Sequence, residues 1–181
     1  VSVGILGLGA LGADAARALL ALRFKVAGWS RQPKSLPNVD TYHGADGLDR
    51  LLERTDILVC LLPLTAATGG LLSMPLIRKL KRDGPLGGPI LVNAGRGGEQ
   101  VEADILAALD DGTLAGASLD GFETEPLASS SRLWDHPRVI VTPHNAADSE
   151  PDALTRAIVG QIRRYEAGGP LANVVDRGRG Y

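Results

Sequence analysis

Three polar residues follow predicted buried strands: Arg96 in VNAGRGG, Glu125 in LDGFETEP and His144 in VTPHNAA. Ligands of open α/β sheets bind at the carboxyl ends of the strands, so these side chains are expected to meet there. An arginine can hold a carboxylate and polarise a neighbouring carbonyl, while a histidine can give a proton to a developing alkoxide. A carboxylate beside the histidine stabilises its charged form. Reduction of a ketoacid by hydride transfer requires this combination of groups.

Other residues near these positions allow competing or simpler interpretations. Glu123 lies two residues before Glu125, and the spacing alone does not choose between them as the partner of the histidine. His43 is interpreted as a surface histidine, and His136 as a turn residue before the last strand.

Apolar strand-like runs alternate with helical patterns, which predicts βαβ units and a parallel sheet. We therefore predict an α/β fold with a doubly wound parallel sheet of the Rossmann type. After Pro143 the pattern changes to one long helix and a tail, GPLANVVDRGRGY. The predicted strands cover 1–7, 25–29, 39–43, 56–62, 89–94, 116–120 and 138–143, and the predicted helices cover 10–22, 46–54, 73–81, 101–112 and 150–168.

A glycine-rich loop joins the first predicted strand to the first predicted helix, in the sequence VSVGILGLGALG. Gly7 permits a tight turn, Gly9 lets the backbone approach a pyrophosphate, and Gly12 lets the helix pack closely on the strand. The helix that follows offers free N–H groups to phosphates. We predict that this loop, with Ala10 and Leu11, binds a dinucleotide, the alternative being a glycine-rich turn without a ligand.

The end of the second predicted strand indicates which dinucleotide is bound. An NAD site usually has an acidic residue there for the ribose hydroxyls. This chain has GWSRQPKS, with no acidic residue between Asp14 and Asp40. Ser30, Arg31 and Lys34 instead stand where a 2′-phosphate would lie, and a guanidinium can bind phosphate oxygens in pairs. We predict a preference for NADP(H), although a solvated loop is a serious alternative for Lys34.

The composition excludes several classes of function. The formal net charge is −2 and neither half has a basic block, so no nucleic-acid partner is expected. The apolar runs are too short to span a bilayer, and the opening stretch does not have the pattern of a signal peptide. Cys60 is the single cysteine, so a reduced thiol and a cytoplasmic location are expected. We predict no metal site.

Five motifs, in this order, resemble those of D-2-hydroxyacid dehydrogenases: GILGLGALG, LLPLTAAT, NAGRGG, LDGFETEPL followed by LWDHPRV, and TPHNAA. The resemblance covers essentially the whole chain. It implies that Arg96 binds substrate and His144 is the acid/base. Its Glu-Pro pairing chooses Glu125 over Glu123 as the partner of His144. Besides the glycine loop and the 30–34 segment, the resemblance implies cofactor contacts from Leu62, Pro63, Thr68, Ala94, Arg96, Asp120, His144 and Ala146.

Two positions depart from the family pattern. Gly95 stands where the family often has alanine, and Gly121 where it usually has valine. Both glycines are expected to loosen the backbone beside the site without removing a functional group.

Within the family, WSRQPKS and the ending VDRGRGY are most similar to the NADPH-dependent branch that reduces glyoxylate and hydroxypyruvate. The resemblance implies reduction of small 2-ketoacids to D-2-hydroxyacids, a homodimer, and a substrate domain whose first part lies outside these residues. It places the dinucleotide-binding domain at 1–147 and the helix and tail that complete the substrate domain at 148–181. Another ketoacid, an imine substrate, or a non-catalytic NADP(H)-sensing domain remain alternatives.

Overall fold

A computed structural model describes residues 1–147 and 149–178. The strands are β1 (Ser2–Leu6), β2 (Lys25–Ser30), β3 (Asp40–His43), β4 (Ile57–Cys60), β5 (Ile90–Asn93), β6 (Gly116–Leu119) and β7 (Val139–Val141). The helices are α1 (Ala10–Ala21), α2 (Gly44–Leu52), α3 (Met74–Ile77), α4 (Glu102–Asp110) and α5 (Pro151–Glu166), and a 3₁₀ turn covers Gly97–Glu99.

Over the described residues the strands form one parallel sheet in the order β3-β2-β1-β4-β5-β6-β7. The chain winds outwards from β1 to β3 and then, from β4, outwards on the other side. This reversal between β1 and β4 is the topological switch point where dinucleotides bind in such sheets. The predicted doubly wound parallel sheet is confirmed.

Two apolar clusters hold the sheet between its helices. The smaller cluster packs Ala16 of α1 against β1 residues such as Val3 and Ile5. The larger cluster includes Leu58 of β4 and Ile105 of α4, both completely buried. Burying a leucine or isoleucine side chain contributes about 1.5–3 kcal/mol, so these clusters fix the strands that carry the site.

The third helix is shorter than the pattern predicts, since it ends at Ile77 rather than near residue 81. The amides of Ile77 and Arg78 still bond to carbonyls four residues back. The amides of Lys79 and Leu80 bond to carbonyls only three residues back. This tighter turn ends the helix and directs Leu80 into the core, where its side chain is buried.

The described chain forms two compact units, one ending at His144 and the other beginning at Asn145. In the second unit α5 begins at Pro151, where the Glu150 carboxylate accepts hydrogen bonds from the amides of Asp152 and Ala153. The domain boundary at 147/148 stays a prediction, and Asp148 and the end of the predicted tail, 179–181, lie outside the described residues.

A buried carboxylate joins the beginnings of β1 and β4. Asp56 accepts hydrogen bonds from the Ser2 amide at 2.7 Å, the Ser2 hydroxyl at 2.9 Å and Lys81 Nζ at 3.1 Å. Burial alone would raise the pKa of Asp56, but the bonds from Ser2 and Lys81 outweigh it and hold that pKa below its usual value. The interaction therefore stabilises the fold above pH 4, about the ordinary pKa, and is lost as the pH falls through the lowered value.

We expect Asp56→Asn to lower the free energy of unfolding by about 1–3 kcal/mol at pH 7, because the partly buried Lys81 and Ser2 donors lose part of their buried acceptor. Urea denaturation at pH 7 and pH 3 measures the free energy of unfolding. The difference in this free energy between Asp56→Asn and the wild type should be smaller at pH 3. Asp49→Asn is the matched control, since the Asp49 side chain is 47% exposed and that of Asp56 is 3% exposed. Equal losses of unfolding free energy in Asp56→Asn and Asp49→Asn would contradict the stabilising role of the buried Asp56 carboxylate.

Candidate active site

Because every strand pair is parallel, the predicted site residues emerge at one edge of the sheet. The glycine loop follows β1, Ser30 ends β2, and the loop with Pro63 and Thr68 follows β4. Beyond the switch point, Arg96 follows β5 and His144 follows β7. Asp120 and Glu125 lie in the segment after β6. The sheet thus gathers at its carboxyl edge the polar groups predicted from separate motifs.

The backbone of the glycine loop explains why glycine stands at Gly7 and Gly12. Gly7 has a φ of 101°, and a Cβ there would lie 2.7 Å from the Leu61 carbonyl oxygen. A Cβ at Gly12 would overlap the Gly7 carbonyl oxygen, whereas the space beside Gly9 is open. Gly9 is the N-cap of α1, and no side chain among the described residues caps that end. The first amides of α1 are therefore available to an anion.

The segment after β2 is tied to the glycine loop. Lys34 Nζ donates a hydrogen bond to the Leu8 carbonyl at 2.7 Å, so the ammonium group lies beside the loop. Ser30 is buried, and its hydroxyl donates to the Gln32 carbonyl at 2.7 Å. Arg31 is exposed. Lys34, although exposed, therefore joins the segment after β2 to the glycine loop.

The loop that carries Arg96 is held by buried polar side chains. Asn93 Nδ2 donates to the Arg96 carbonyl at 3.1 Å and to Gln100 Oε1 at 2.8 Å. Glu99 Oε2 accepts from the Arg96 amide at 3.1 Å. Gln100 Nε2 donates to the Gly121 carbonyl at 2.9 Å, which joins the loop after β5 to the segment after β6. The Arg96 side chain itself is exposed.

His144 and Glu125 form a direct pair. His144 Nδ1 lies 3.0 Å from Glu125 Oε1 and 2.9 Å from Oε2, and the Phe122 amide donates to Oε1 at 3.0 Å. The bonds from His144 and Phe122 lower the pKa of Glu125. An ionised carboxylate only accepts hydrogen bonds, so Nδ1 must carry the proton of the shared bond. The second ring nitrogen, Nε2, is left to exchange a proton with a substrate.

The backbone of His144 is strained, with a φ of 54° in the left-handed region. Such a conformation costs a residue with a Cβ roughly 1 kcal/mol or more, and it persists where the surroundings impose it. It is a feature often found at functional sites.

The two glutamates that compete in the sequence have different partners. Glu123 Oε1 accepts from the Glu102 amide at 2.6 Å, and Glu102 Oε1 accepts from the Glu123 amide at 2.7 Å. This reciprocal pair fixes the start of α4. The structure therefore brings Glu125, and not Glu123, to His144.

Some of the other predicted cofactor residues already have partners within the chain. The Thr68 hydroxyl donates to the Pro63 carbonyl at 2.7 Å and accepts from the Thr65 amide at 2.8 Å, which closes the loop after β4. The Asp120 carboxylate accepts from the Thr142 hydroxyl at 2.5 Å, joining the ends of β6 and β7. Leu62 is buried beside β4, and Ala94 follows β5. Ala146 belongs to the second unit.

The sequence reasoning missed the residues that hold the Arg96 loop: Asn93, Glu99 and Gln100. Each is at least 98% buried. The sequence does contain a signal for such a network, since three amide or carboxyl side chains lie within eight residues at the end of a strongly apolar strand. Their burial, which separates a supporting network from an exposed polar loop, cannot be seen in the sequence.

Neither glycine that departs from the family pattern leaves empty space beside the site. A Cβ at position 95 would overlap Glu99 Oε2, and one at position 121 would lie 3.0 Å from the Gly97 amide nitrogen and 3.3 Å from Glu125 Oε1. Neighbouring polar groups occupy the space that a side chain would take at either position, and the expectation of a loosened backbone stays a prediction.

The doubly wound sheet and the glycine loop at its carboxyl edge define a dinucleotide-binding domain. The chain belongs to the D-isomer specific 2-hydroxyacid dehydrogenase family, since residues 1–146 match the model of that family's NAD binding domain. The resemblance seen in the motifs is thereby confirmed. No helix in the described part of the chain has the length and apolarity needed to cross a membrane. Residues 1–147 and 149–178 contain no cluster of three or more His, Cys, Asp or Glu side chains suited to a metal.

Similar proteins include glyoxylate/hydroxypyruvate reductase A of Salmonella newport, which is 45% identical over 99% of this chain and 56% of its own length. The structure of the NADPH-dependent glyoxylate/hydroxypyruvate reductase of Sinorhizobium meliloti, in complex with NADP and sulfate, has 57% identity and a TM-score of 0.97. A probable 2-hydroxyacid dehydrogenase of Rhizobium etli, in complex with NADP, HEPES and L(+)-tartaric acid, has 53% identity and a TM-score of 0.95. Both structures match all of this chain, which covers 57% of each. The chain thus spans a little over half the length of these relatives.

Proposed function

We propose that this chain is the coenzyme-binding part of an NADP(H)-dependent reductase that converts small 2-ketoacids, of the glyoxylate and hydroxypyruvate type, into D-2-hydroxyacids. The observation that carries the proposal is the His144–Glu125 pair at the same sheet edge as Arg96 and the glycine loop. A domain that only senses a nucleotide needs no acid/base pair. The relatives named as glyoxylate/hydroxypyruvate reductases support the substrate class.

The residues at the sheet edge fit the proposed cofactor. The open space beside Gly9 and the uncapped α1 amides suit a pyrophosphate. Ser30, Arg31 and Lys34 suit a 2′-phosphate, and the adjacent segment has no carboxylate to repel it. Leu62, Pro63, Thr68, Ala94, Asp120 and Ala146 are proposed to contact the remainder of the cofactor, Asp120 near the nicotinamide amide.

The cofactor, when bound, supplies the hydride. In the proposed mechanism, Arg96 binds the substrate carboxylate through paired hydrogen bonds and polarises the carbonyl that is reduced. His144 Nε2 gives its proton to the oxygen as negative charge develops there. Glu125 holds Nδ1 and stabilises the imidazolium before that transfer. The bond between Glu125 and Nδ1 thus fixes which nitrogen of the neutral His144 ring carries the proton, and it fixes the orientation of the ring.

We also propose that α5 and the tail complete a substrate domain together with residues outside this chain, with the boundary at 147/148. The support is an exposed apolar stripe on α5, formed by Leu154, Ile158, Ile162 and Tyr165, each more than half exposed. A groove of about 510 Å³ runs along part of this helix and is lined by Ile158, Ile162, Tyr165 and Leu171. Such a face normally packs against another element.

A homodimer and a cytoplasmic location complete the proposal. The family resemblance supports the homodimer, and the buried reduced Cys60 is compatible with a cytoplasmic location. A small-molecule 2-ketoacid is the proposed partner, with no nucleic acid and no membrane.

The proposal is tested by NADPH oxidation with glyoxylate and hydroxypyruvate, with NADH measured in parallel, on the full-length protein and on the 181-residue chain. We expect turnover with NADPH in the full-length protein. The chain alone is expected to bind NADPH more tightly than NADH and to turn over poorly, because part of the substrate pocket is proposed to lie elsewhere. A full-length protein that binds NADPH but reduces no 2-ketoacid would favour the sensing alternative.

Arg31→Ala is expected to raise the Kd for NADPH about 10–100-fold and to leave the Kd for NADH nearly unchanged, because only NADPH carries the phosphate that the guanidinium binds. Titration of protein fluorescence or calorimetry measures both constants. Lys34→Ala provides the contrast, because its bond to the Leu8 carbonyl supports the pyrophosphate loop and its loss should weaken both nucleotides. Equal weakening of NADPH and NADH by Arg31→Ala would contradict the phosphate assignment.

A further inference from the structure

Glu99 is completely buried behind the loop that carries Arg96. Its Oε2 accepts from the Arg96 amide at 3.1 Å and from Cys60 Sγ at 3.3 Å. Its Oε1 has no hydrogen-bond partner among the described residues. Burial raises the pKa of this carboxyl group, while the bond from the Arg96 amide acts in the opposite direction. A buried carboxyl group with an unpartnered oxygen is unfavourable, so its presence needs a specific reason.

The geometry of Gly95 supplies part of that reason. A Cβ at this position would overlap Glu99 Oε2, and its next neighbour would be the Leu62 carbonyl oxygen at 3.0 Å. The backbone of Gly95 lies outside the left-handed region, so its conformation does not itself require glycine. Glycine is needed here because the Glu99 carboxyl group occupies the space of a side chain.

Both backbone groups of Arg96 are held by buried side chains. Glu99 accepts from the amide, and Asn93 donates to the carbonyl at 3.1 Å. With the peptide groups fixed on both sides, the direction in which the Arg96 side chain leaves the loop is restricted. A guanidinium that binds a carboxylate through two parallel bonds depends on such orientation.

We propose that Glu99 is a positioning residue that orients the Arg96 loop for the substrate carboxylate, and that glycine at position 95 is required because of Glu99. The part that concerns substrate rests on the proposed function. The coupling between positions 95 and 99 is independent of that function, since it depends only on the space that the two groups share.

The test is a double-mutant cycle in the full-length protein with Gly95→Ala, Glu99→Ala and the double variant, together with Glu99→Gln. Each single alanine variant should raise the KM for glyoxylate about tenfold, which corresponds to one lost hydrogen bond. The Kd for NADPH should change little. The double variant should also show about a tenfold change rather than a hundredfold one, since both substitutions remove the same interaction. Glu99→Gln keeps an acceptor oxygen and should retain a KM within about threefold of the wild type.

Multiplicative effects of the two alanine substitutions on KM would overturn the coupling. A lowered melting temperature with an unchanged KM would overturn the positioning role. If the Gly95→Ala variant does not fold, a comparison of Glu99→Ala with Glu99→Gln still tests the positioning role. Equal KM values for these two variants would contradict a role for the acceptor oxygen. If the wild type reduces no ketoacid, the proposed function is wrong. The double-mutant cycle then uses the melting temperatures of the four proteins in place of KM. Non-additive shifts then support the coupling, and additive shifts overturn it.

Discussion

Replacing His144 with glutamine should lower kcat for glyoxylate reduction by NADPH about 10²–10⁴-fold, the usual contribution of a positioned acid/base group. Glutamine can fill much of the space of the ring and can donate a hydrogen bond to Glu125, but it cannot give up a proton near neutral pH. The Kd for NADPH should stay close to that of the wild type, because most of the proposed cofactor contacts come from the other strands. Steady-state kinetics and nucleotide titration on the full-length protein separate the two effects.

His136→Gln is the matched control for this experiment. His136 Nε2 lies 3.6 Å from Asp110 Oδ1, so it is also a histidine beside a carboxylate. It precedes β7 and therefore lies at the amino end of the strand, opposite the proposed site. We expect an unchanged kcat for this variant. A similar loss of activity in both variants, or none in the His144 variant, would contradict the assignment of His144 as the acid.

Replacing Arg96 with methionine should lower kcat/KM for glyoxylate about 10²–10³-fold, since a charged group that binds the substrate carboxylate and polarises its carbonyl is lost. Methionine retains most of the length and apolar surface of the side chain, and the backbone bonds from Asn93 and Glu99 remain available to the loop. Arg96→Lys should recover only part of the loss, because an ammonium group cannot form the paired bonds of a guanidinium. Initial-rate kinetics across glyoxylate concentrations measure both variants.

Arg132→Met is the control for loss of an arginine elsewhere. Arg132 pairs with Asp110 at 3.0 Å, and this pair is exposed at the end of α4 remote from the site. Exposed pairs contribute about 1 kcal/mol or less to stability. The kcat/KM of the Arg132→Met variant should match that of the wild type. If Arg96→Met left kcat/KM within a few-fold of the wild type, Arg96 could not be the group that binds the carboxylate.

The doubly wound fold could be predicted because its signals are local. An apolar strand followed by GLGALG and a helical pattern specifies the first βα unit, and the later strands repeat the alternation. The parallel sheet then places Arg96, Glu125 and His144 at one edge, although they lie far apart along the chain. Topology thus converts separate motifs into one candidate site.

What could not be predicted depends on contacts between segments. Spacing alone could not choose Glu125 over Glu123, since the two residues differ in position by only two, and the choice rested on the Glu-Pro pairing of the family resemblance. The space of Gly95 is filled by Glu99, a side chain from the next turn, so the glycine could not be interpreted from its own position. The early end of α3 coincides with a tighter turn that places Leu80 in the core, a tertiary feature that the helical pattern of the sequence does not show.

The bond from Lys34 to the Leu8 carbonyl has a consequence for redesign of coenzyme preference. The Lys34 side chain therefore supports two regions, the segment proposed to recognise the 2′-phosphate and the loop proposed to hold the pyrophosphate. Both coenzymes contain the pyrophosphate. Conversion towards NADH should therefore begin at Arg31 and retain Lys34. We expect a library that randomises the whole SRQPK segment to weaken the binding of both coenzymes in many variants, because most of them lose the Lys34 bond to the Leu8 carbonyl.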